Sequence, residues 1–151
     1  MDPAEFISLA VRLSNSQREA DLRTAVSRAY YGSFHLARDL LRDCGIQFSG
    51  KDLYKAEIHQ KLRYCLGESD NEEAVLLAKK LGSLRDRRNE ADYDLDSTTF
   101  THPTNVALEI RIAQDIVESL TRCRTEPTFS GLRDKVRAYA RHVLRLPLER
   151  E

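Results

Sequence analysis

The stretch that decides the fold is SRAYYGSFHLARDLL, residues 27–41. Its apolar residues recur at the three- and four-residue spacing of an α-helix and form two adjacent stripes. One stripe extends from Leu22 to Leu40, and the other extends from Tyr30 to Leu41. A helix that is apolar on two sides packs between other helices, so this segment predicts a central helix of a bundle.

Further helices are predicted on both sides of this segment. Asp2-Pro3-Ala4-Glu5 is a start signal near the N-terminus, and Ser69-x-x-Glu72 is a capping box ahead of another helix. Apolar spacing predicts helices from about Asp52 to Leu66, from near Asp70, after Pro103, and after Ser130. Because no long stretch alternates with period two, we predict an all-α, up-and-down helical bundle of five to six helices. It is predicted as one domain, 1–151, with the bundle in 3–122 and a basic C-terminal helix at about 130–146.

Composition excludes several classes of function. The 24 basic and 24 acidic residues cancel, so no global field favours nucleic acid or an anionic membrane. Cys44, Cys65 and Cys123 are odd in number and show no metal-binding spacing, so neither a disulfide framework, nor a metal, nor a cofactor is predicted. No segment has the length of a membrane span, and the N-terminus has no signal pattern. We therefore expect a soluble, cytoplasmic protein.

Charge is nevertheless unevenly distributed along the chain. Residues 122–150 hold eight basic and three acidic residues, a surplus of five positive charges. Such a bias is typical of a solvated face of a surface helix, and it also suits a face that follows phosphates or docks a partner.

A second informative stretch is SLRDRRNEADYDLD, residues 83–96. Continuing the helix in register gives a core-facing seam, and its members are Leu77, Leu81, Leu84, Arg88, Ala91 and Leu95. Arg88 thus occupies a position where leucine is expected. A guanidinium stays protonated at physiological pH, so its burial requires a negatively charged partner. Asp92 lies one turn after Arg88, and Arg85 lies one turn before it.

Two interpretations of Arg88 follow. In the structural one, Arg88 pairs with Asp92 or with a carboxylate on a neighbouring helix and fixes helix register. In the functional one, the seam opens into a cleft or a dimer interface, where Arg88 binds a phosphate and Asn89 and Tyr93 supply neutral hydrogen bonds. His35 shares a helical face with Arg28, Arg38 and Arg42, and Tyr31 lies one turn before it. This face is either an ordinary charged helix face or a second basic wall of that cleft.

Three segments together resemble the HEPN superfamily, in particular its short single-domain prokaryotic members. These are SRAYYGSFHLARDLL, EIHQKLRYCL and LRDRRNEADYDL, and the resemblance covers residues 3–122. It implies a helical bundle that is usually dimeric. Many members are metal-independent endoribonucleases of toxin–antitoxin and other defence systems, often encoded beside a minimal nucleotidyltransferase, and others are inactive binding modules.

The resemblance also implies which residues to examine. Family catalysis uses an arginine, commonly followed by a polar residue such as asparagine, and a histidine after four to six intervening residues. Arg88 and Asn89 match the first half, but Tyr93, Asp94 and Leu95 occupy the positions of the histidine. An imidazole titrates near neutrality and therefore suits proton transfer with a 2′-hydroxyl. An aspartate could act only as a base, a tyrosine is a poor base at pH 7, and a leucine cannot transfer a proton.

The sequence therefore leads to one hypothesis and two alternatives. The first is a HEPN-family module that binds RNA or a nucleotide and a protein partner in a toxin–antitoxin or defence system, without the usual histidine. The partners expected from the resemblance are a second copy of the chain and a nucleotidyltransferase or antitoxin. One alternative is an endoribonuclease that uses Arg88 and Asn89 with Asp92 or Tyr93. The other is a dimerisation scaffold. Phosphate-binding candidates are Arg85, Arg88, His35 and Arg38.

Overall fold

A computed structural model describes residues 1–48 and 55–149 of the chain. This part of the chain contains six α-helices and no β-strand, apart from one isolated antiparallel bridge between Ile46 and Leu148. The helices are α1 (Ala4–Leu13), α2 (Glu19–Asp43), α3 (Ala56–Gly67), α4 (Glu72–Tyr93), α5 (Ala107–Cys123) and α6 (Thr128–Tyr139). The prediction of an all-α bundle of five to six helices is confirmed.

The chain divides into two compact units. The first unit is Met1–Leu36 with Lys80–Val117, and the second is Ala37–Lys79 with Glu118–Glu151. A buried cluster in the first unit consists of Leu22, Val26, Ala91, Phe100 and Val106. Buried apolar residues of the second unit include Leu40, Ile58, Leu62, Leu66, Leu132 and Val136. The assignment of residues 1–151 to one domain stays a prediction.

Helix starts follow the sequence signals only in part. The N–H of Ala4 donates to Asp2 Oδ1 at 2.9 Å, as the N-terminal signal predicts. The prediction of a capping box at Ser69 is wrong, because the Ser69 hydroxyl donates a hydrogen bond to a carbonyl in the last turn of α3 at 2.6 Å. Asn71 caps α4 instead, since its Oδ1 accepts a hydrogen bond from the N–H of Ala74 at 3.0 Å.

The third and sixth helices differ from their predicted bounds. The predicted start at Asp52 lies outside the described residues, and α3 is described from Ala56. Helix α6 begins at Thr128, ahead of Ser130, and gives way to a π-helical turn over Ala140–Leu144. The C-terminal helix predicted at about 130–146 therefore ends early as an α-helix, and Val143 is 59% exposed.

Helix α1 lies close against α2 because α2 has a glycine at the contact. A Cβ atom on Gly32 would lie 2.6 Å from Ile7 Cδ1 and 3.1 Å from Phe6 Cβ. Both distances are shorter than normal carbon–carbon contact, so a larger residue would require the Ile7 side chain to turn away and Phe6 to shift slightly. The contact holds Phe6 against the stretch of α2 that carries Arg28.

Helix α4 confirms most of the predicted seam and corrects its last position. Leu77, Leu81, Leu84 and Ala91 are buried, whereas Leu95 is 75% exposed. The helix ends at Tyr93, so Leu95 is no longer in helical register with the seam.

The cause of this ending is Arg23 of α2, which is 9% exposed. Its guanidinium donates to one backbone carbonyl in the last turn of α4, that of Ala91 (3.1 Å), and to three just after the helix, those of Asp94 (2.8 Å), Leu95 (3.3 Å) and Ser97 (3.0 Å). Helix ends leave carbonyl groups unsatisfied, and a buried cationic donor stabilises them. The guanidinium also lies 4.7 Å from the centre of the Phe100 ring and 2.7 Å from a carboxylate oxygen of Glu19. Arg23 thereby fixes where α4 stops and where the loop after it begins.

Candidate functional site

The first unit contains a cationic and aromatic cluster centred on Arg88. The side chain of Arg88 is 17% exposed, so the seam position predicted from the sequence is largely buried. Its guanidinium carbon lies 5.0 Å from the ring centre of Tyr31 and 5.5 Å from that of Tyr93. One Nη atom donates to the Tyr31 hydroxyl and the other to Asn89 Oδ1, the latter at 2.9 Å. Two tyrosines therefore hold the guanidinium in place on α4.

Asp92 supplies the negative charge that burial of Arg88 requires. Its Oδ2 lies 2.8 Å from Arg88 Nε, and its side chain is 29% exposed. The distance is that of an ion pair, but the N–H at Nε does not point along it, and that buried N–H makes no hydrogen bond to the described residues. The hydroxyl of Ser27 also donates to Oδ2, at 3.4 Å. Asp92 thus offsets the charge of Arg88 without satisfying all of its donors.

Arg28 brings a second guanidinium to the same tyrosine. Its guanidinium carbon lies 5.6 Å from the ring centre of Tyr31 and 5.3 Å from that of Phe6. Among the residues that the structure describes, no carboxylate pairs with it, and its Nε–H is buried without a hydrogen-bond partner. A buried donor left unpaired is unfavourable. Within the part of the chain that the structure describes, Arg28 is therefore the cation of this cluster that has no counter-ion.

The four residues predicted as a catalytic group lie together. Arg88, Asn89, Asp92 and Tyr93 occupy the last turns of α4, and Arg88 contacts each of the other three. Asn89 and Tyr93 are exposed, and Tyr93 is 74% exposed. Arg28 was considered only as part of the helical face of His35. Its contact with Tyr31 and the hydrogen bond from Arg88 to Tyr31 were not predicted, although Arg28 and Tyr31 belong to the R-A-Y-Y segment on one turn of α2.

The three other predicted phosphate-binding residues have different surroundings. Arg85 is partly buried on α4 and has no ion pair within the described ranges. His35 packs among aromatic rings, with its ring centre 5.2 Å from Phe34 and 6.3 Å from Phe6. Arg38 belongs to the second unit, where it lies 3.2 Å from a carboxylate oxygen of Asp39. The binding roles of all three stay predictions.

Arg87, the neighbour of Arg88, belongs to a separate ionic network. Its Nε donates to Glu109 of α5 at 2.8 Å, and one Nη donates to Glu90 at 2.6 Å. The hydroxyls of Ser97 and Thr99 also donate to Glu90, at 2.6 Å and 2.7 Å. These two hydrogen bonds, together with Arg87, lower the pKa of Glu90 from its usual value. The network joins α4, α5 and the loop between them.

Two kinds of site chemistry have no support in the described part of the chain. No group of three or more His, Cys, Asp or Glu side chains there is arranged to hold a metal ion. The three cysteines are buried free thiols, and burial raises the pKa of Cys44 and Cys65 to about 12 and that of Cys123 to about 11. Thiols with such pKa values are protonated at neutral pH and are poor nucleophiles.

None of the described helices combines the length and the apolar character that crossing a membrane would require.

Comparison with known proteins shows no family for this chain. The chain is similar to the protein named Uncharacterized protein MJ0628 from Methanocaldococcus jannaschii, with 29% identity over 108 residues. The alignment covers 64% of this chain and 65% of the relative's length. No family model matches the chain, and no solved structure matches it. Since the relative's name states no activity, inference about function depends on the geometry of the Arg88 cluster.

Proposed function

We propose that this chain is a HEPN-type module that binds RNA or a nucleotide through a phosphate group at Arg88, Tyr31 and Arg28. It acts without the usual catalytic histidine and works with a protein partner in a toxin–antitoxin or defence system of the cytoplasm. The observation that carries the proposal is the pair of guanidinium groups around Tyr31, of which one has no counter-ion among the described residues.

Charge balance supports an anionic ligand. Arg28 and Arg88 contribute two positive charges around the Tyr31 ring, and Asp92 is paired with Arg88 alone. A phosphate offers strong acceptor oxygens, and arginine donates to such groups through several N–H groups at once. A phosphate at Arg28 would supply the acceptor that its buried Nε–H lacks.

The exposed ring of Tyr93 supports a nucleic-acid or nucleotide ligand over free phosphate. Tyr93 is 74% exposed at the end of α4, while one of its neighbours in the cluster, Arg88, is largely buried. Bases stack on exposed aromatic side chains, which stabilises binding by about 1–3 kcal/mol per base. A ligand with both a phosphate and a base would contact Arg28 and Tyr93 in one binding mode.

The homodimer belongs to the same proposal. The HEPN resemblance implies a dimer, and Tyr93 and Leu95 are two large exposed side chains close in sequence, 74% and 75% exposed. Burying both against a second copy would remove this apolar surface from water beside the Arg88 cluster.

An active endoribonuclease is the alternative enzyme, and one observation favours it: Arg88, Asn89, Asp92 and Tyr93 are assembled as a unit. Asp92 would have to act as the base, yet it already accepts from Ser27 and lies against Arg88. A purely structural scaffold is favoured by that same pairing, since Asp92 provides the internal anion that a buried arginine needs.

One experiment separates the three functions. Purified protein is mixed with labelled single-stranded RNA in EDTA, and both binding and cleavage are followed for the parent, Arg88→Ala and Asp92→Asn. The proposal expects binding that Arg88→Ala abolishes, with no cleavage by any variant. Cleavage by the parent alone would establish the enzyme. Equal binding by the parent and Arg88→Ala, or no binding by either, would support the purely structural scaffold.

A further inference from the structure

The first unit has a cavity on the Arg87 side of α4, lined by residues unlike those of the Arg88 cluster. Its volume is about 320 Å³. It is lined by Ser83, Asp86, Arg87 and Glu90 of α4 and by Leu108, Glu109 and Ile112 of α5. The lining thus combines three carboxylates, one guanidinium, one hydroxyl and two aliphatic side chains.

Glu109 is the unusual member of this cavity. Its side chain is 7% exposed, and its Oε1 accepts from Arg87 at 2.8 Å. Its Oε2 is buried and accepts no hydrogen bond from any residue within the described ranges. A buried carboxylate oxygen without a donor is costly, so the site favours a group that brings one.

The charges around Glu109 indicate the sign of that group. Arg87 is shared between Glu109 and Glu90, so one guanidinium faces two carboxylates. Asp86 adds a third carboxylate, which is exposed and has no ion pair within the described ranges. Three negative charges and one positive charge leave a net charge of about −2 near neutral pH. The missing donor is therefore expected to be cationic.

We propose that this cavity binds the guanidinium or ammonium group of an arginine or lysine side chain that belongs to a partner protein. The cationic group is attracted by Asp86 and donates to Glu109 Oε2, which it reaches when the carboxylate turns towards the cavity. The aliphatic stem of the side chain lies along Leu108 and Ile112, as long basic side chains do on apolar surface. A protein partner is favoured over a free amine because Leu108, 64% exposed at this site, offers apolar contact that a surrounding protein surface would cover.

The test is a methyl NMR titration of the whole chain. Two probes are compared: N-acetyl-arginine amide, which mimics a protein side chain, and putrescine, which represents free amines. We expect the arginine probe to shift the methyl signals of Leu108 and Ile112 saturably and to bind more tightly than putrescine. No shift with either probe, or tighter binding of putrescine, would overturn the proposal.

Three variants assign the binding to individual carboxylates. Glu109→Gln is expected to weaken binding of the arginine probe by about tenfold, the effect of losing one charge-assisted hydrogen bond. Asp86→Asn removes a charge from an exposed residue, so it tests the proposal even if Glu109→Gln does not fold. It is expected to weaken binding of the arginine probe by a smaller factor than Glu109→Gln does. Glu118→Gln, an exposed position further along α5, is the matched control and should bind as the parent does. Equal affinity in all four proteins would contradict the assignment.

Discussion

Replacing Arg28 with methionine should separate ligand binding from stability. Methionine keeps apolar contact with Phe6 and Tyr31 but removes the charge and the buried Nε–H. Two cation–π contacts are lost, each worth about 0.5–1 kcal/mol at partly exposed sites. Removing an unpaired buried donor raises the free energy of unfolding by about 1–3 kcal/mol. The two effects oppose each other, so the free energy of unfolding should fall by no more than about 1 kcal/mol and rise by no more than about 2 kcal/mol.

Ligand binding should respond much more strongly to the same change. Losing one charge-assisted contact to phosphate costs about 1.5–3 kcal/mol, or roughly tenfold to a hundredfold in affinity. A plot of the logarithm of the RNA association constant against the logarithm of salt concentration has a negative slope. Its magnitude should decrease by about 0.7 for single-stranded RNA, the contribution of one phosphate contact. The assays are fluorescence anisotropy of a labelled RNA over a salt series and urea unfolding of the same preparations.

Two further variants make the result interpretable. Arg88→Met should also lose affinity, but it leaves Asp92 without its cation and should lower stability by about 1–2 kcal/mol, since both groups are partly exposed. Arg111→Met is the matched control, because Arg111 is 69% exposed and pairs with Asp115 on the surface of α5. The reasoning is refuted if Arg28→Met unfolds more easily by over about 2 kcal/mol while its RNA affinity and salt slope match the parent.

Three more outcomes are expected. Arg23→Met should lower the free energy of unfolding in urea by about 3–5 kcal/mol, because several carbonyls at the end of α4 lose their donor; a loss below about 1 kcal/mol would contradict that role. Glu90 has a lowered pKa in the folded state, so its contribution to stability is complete above its unfolded pKa of about 4.3 and is lost as pH falls through the folded value. The destabilisation of Glu90→Gln in urea should therefore shrink between pH 7 and pH 3, and a difference independent of pH would argue against the assigned hydrogen bonds. Leu95→Ser should convert a dimer to a monomer in size-exclusion chromatography with light scattering, whereas a parent that is already monomeric would remove the dimer from the proposal.

Sequence periodicity predicted the parts of the fold that depend on local spacing. Leu81, Leu84 and Ala91 are buried as predicted, and Arg88 lies in the same seam because all four follow one helical repeat. The prediction that Leu95 belongs to the buried seam was wrong, because the helical repeat does not show where a helix ends. That limit is set by Arg23, which is distant in sequence, and its basic side chain gives no local sign that it reaches carbonyls after α4.

The candidate site was predicted only as far as one helix could show it. Asp92 was found as the partner of Arg88 because it lies one turn away on α4. Arg28 and Tyr31 lie on α2, and their approach to Arg88 depends on how two helices pack, which spacing along one helix does not specify. The R-A-Y-Y segment was the available signal, because it places a cation and two aromatic rings within a single turn.

The consecutive arginines of α4 have a consequence for its tolerance of insertions and deletions. Arg87 donates a hydrogen bond to a residue of α5, and Arg88 donates one to a residue of α2. Adjacent residues of α4 therefore bind two different helices. Adding or deleting one residue just before them would turn every later side chain by about 100° around the helix axis. The guanidinium groups would then miss both Glu109 and Tyr31 at once. We expect length changes within this helix to be far more damaging than single substitutions at either arginine.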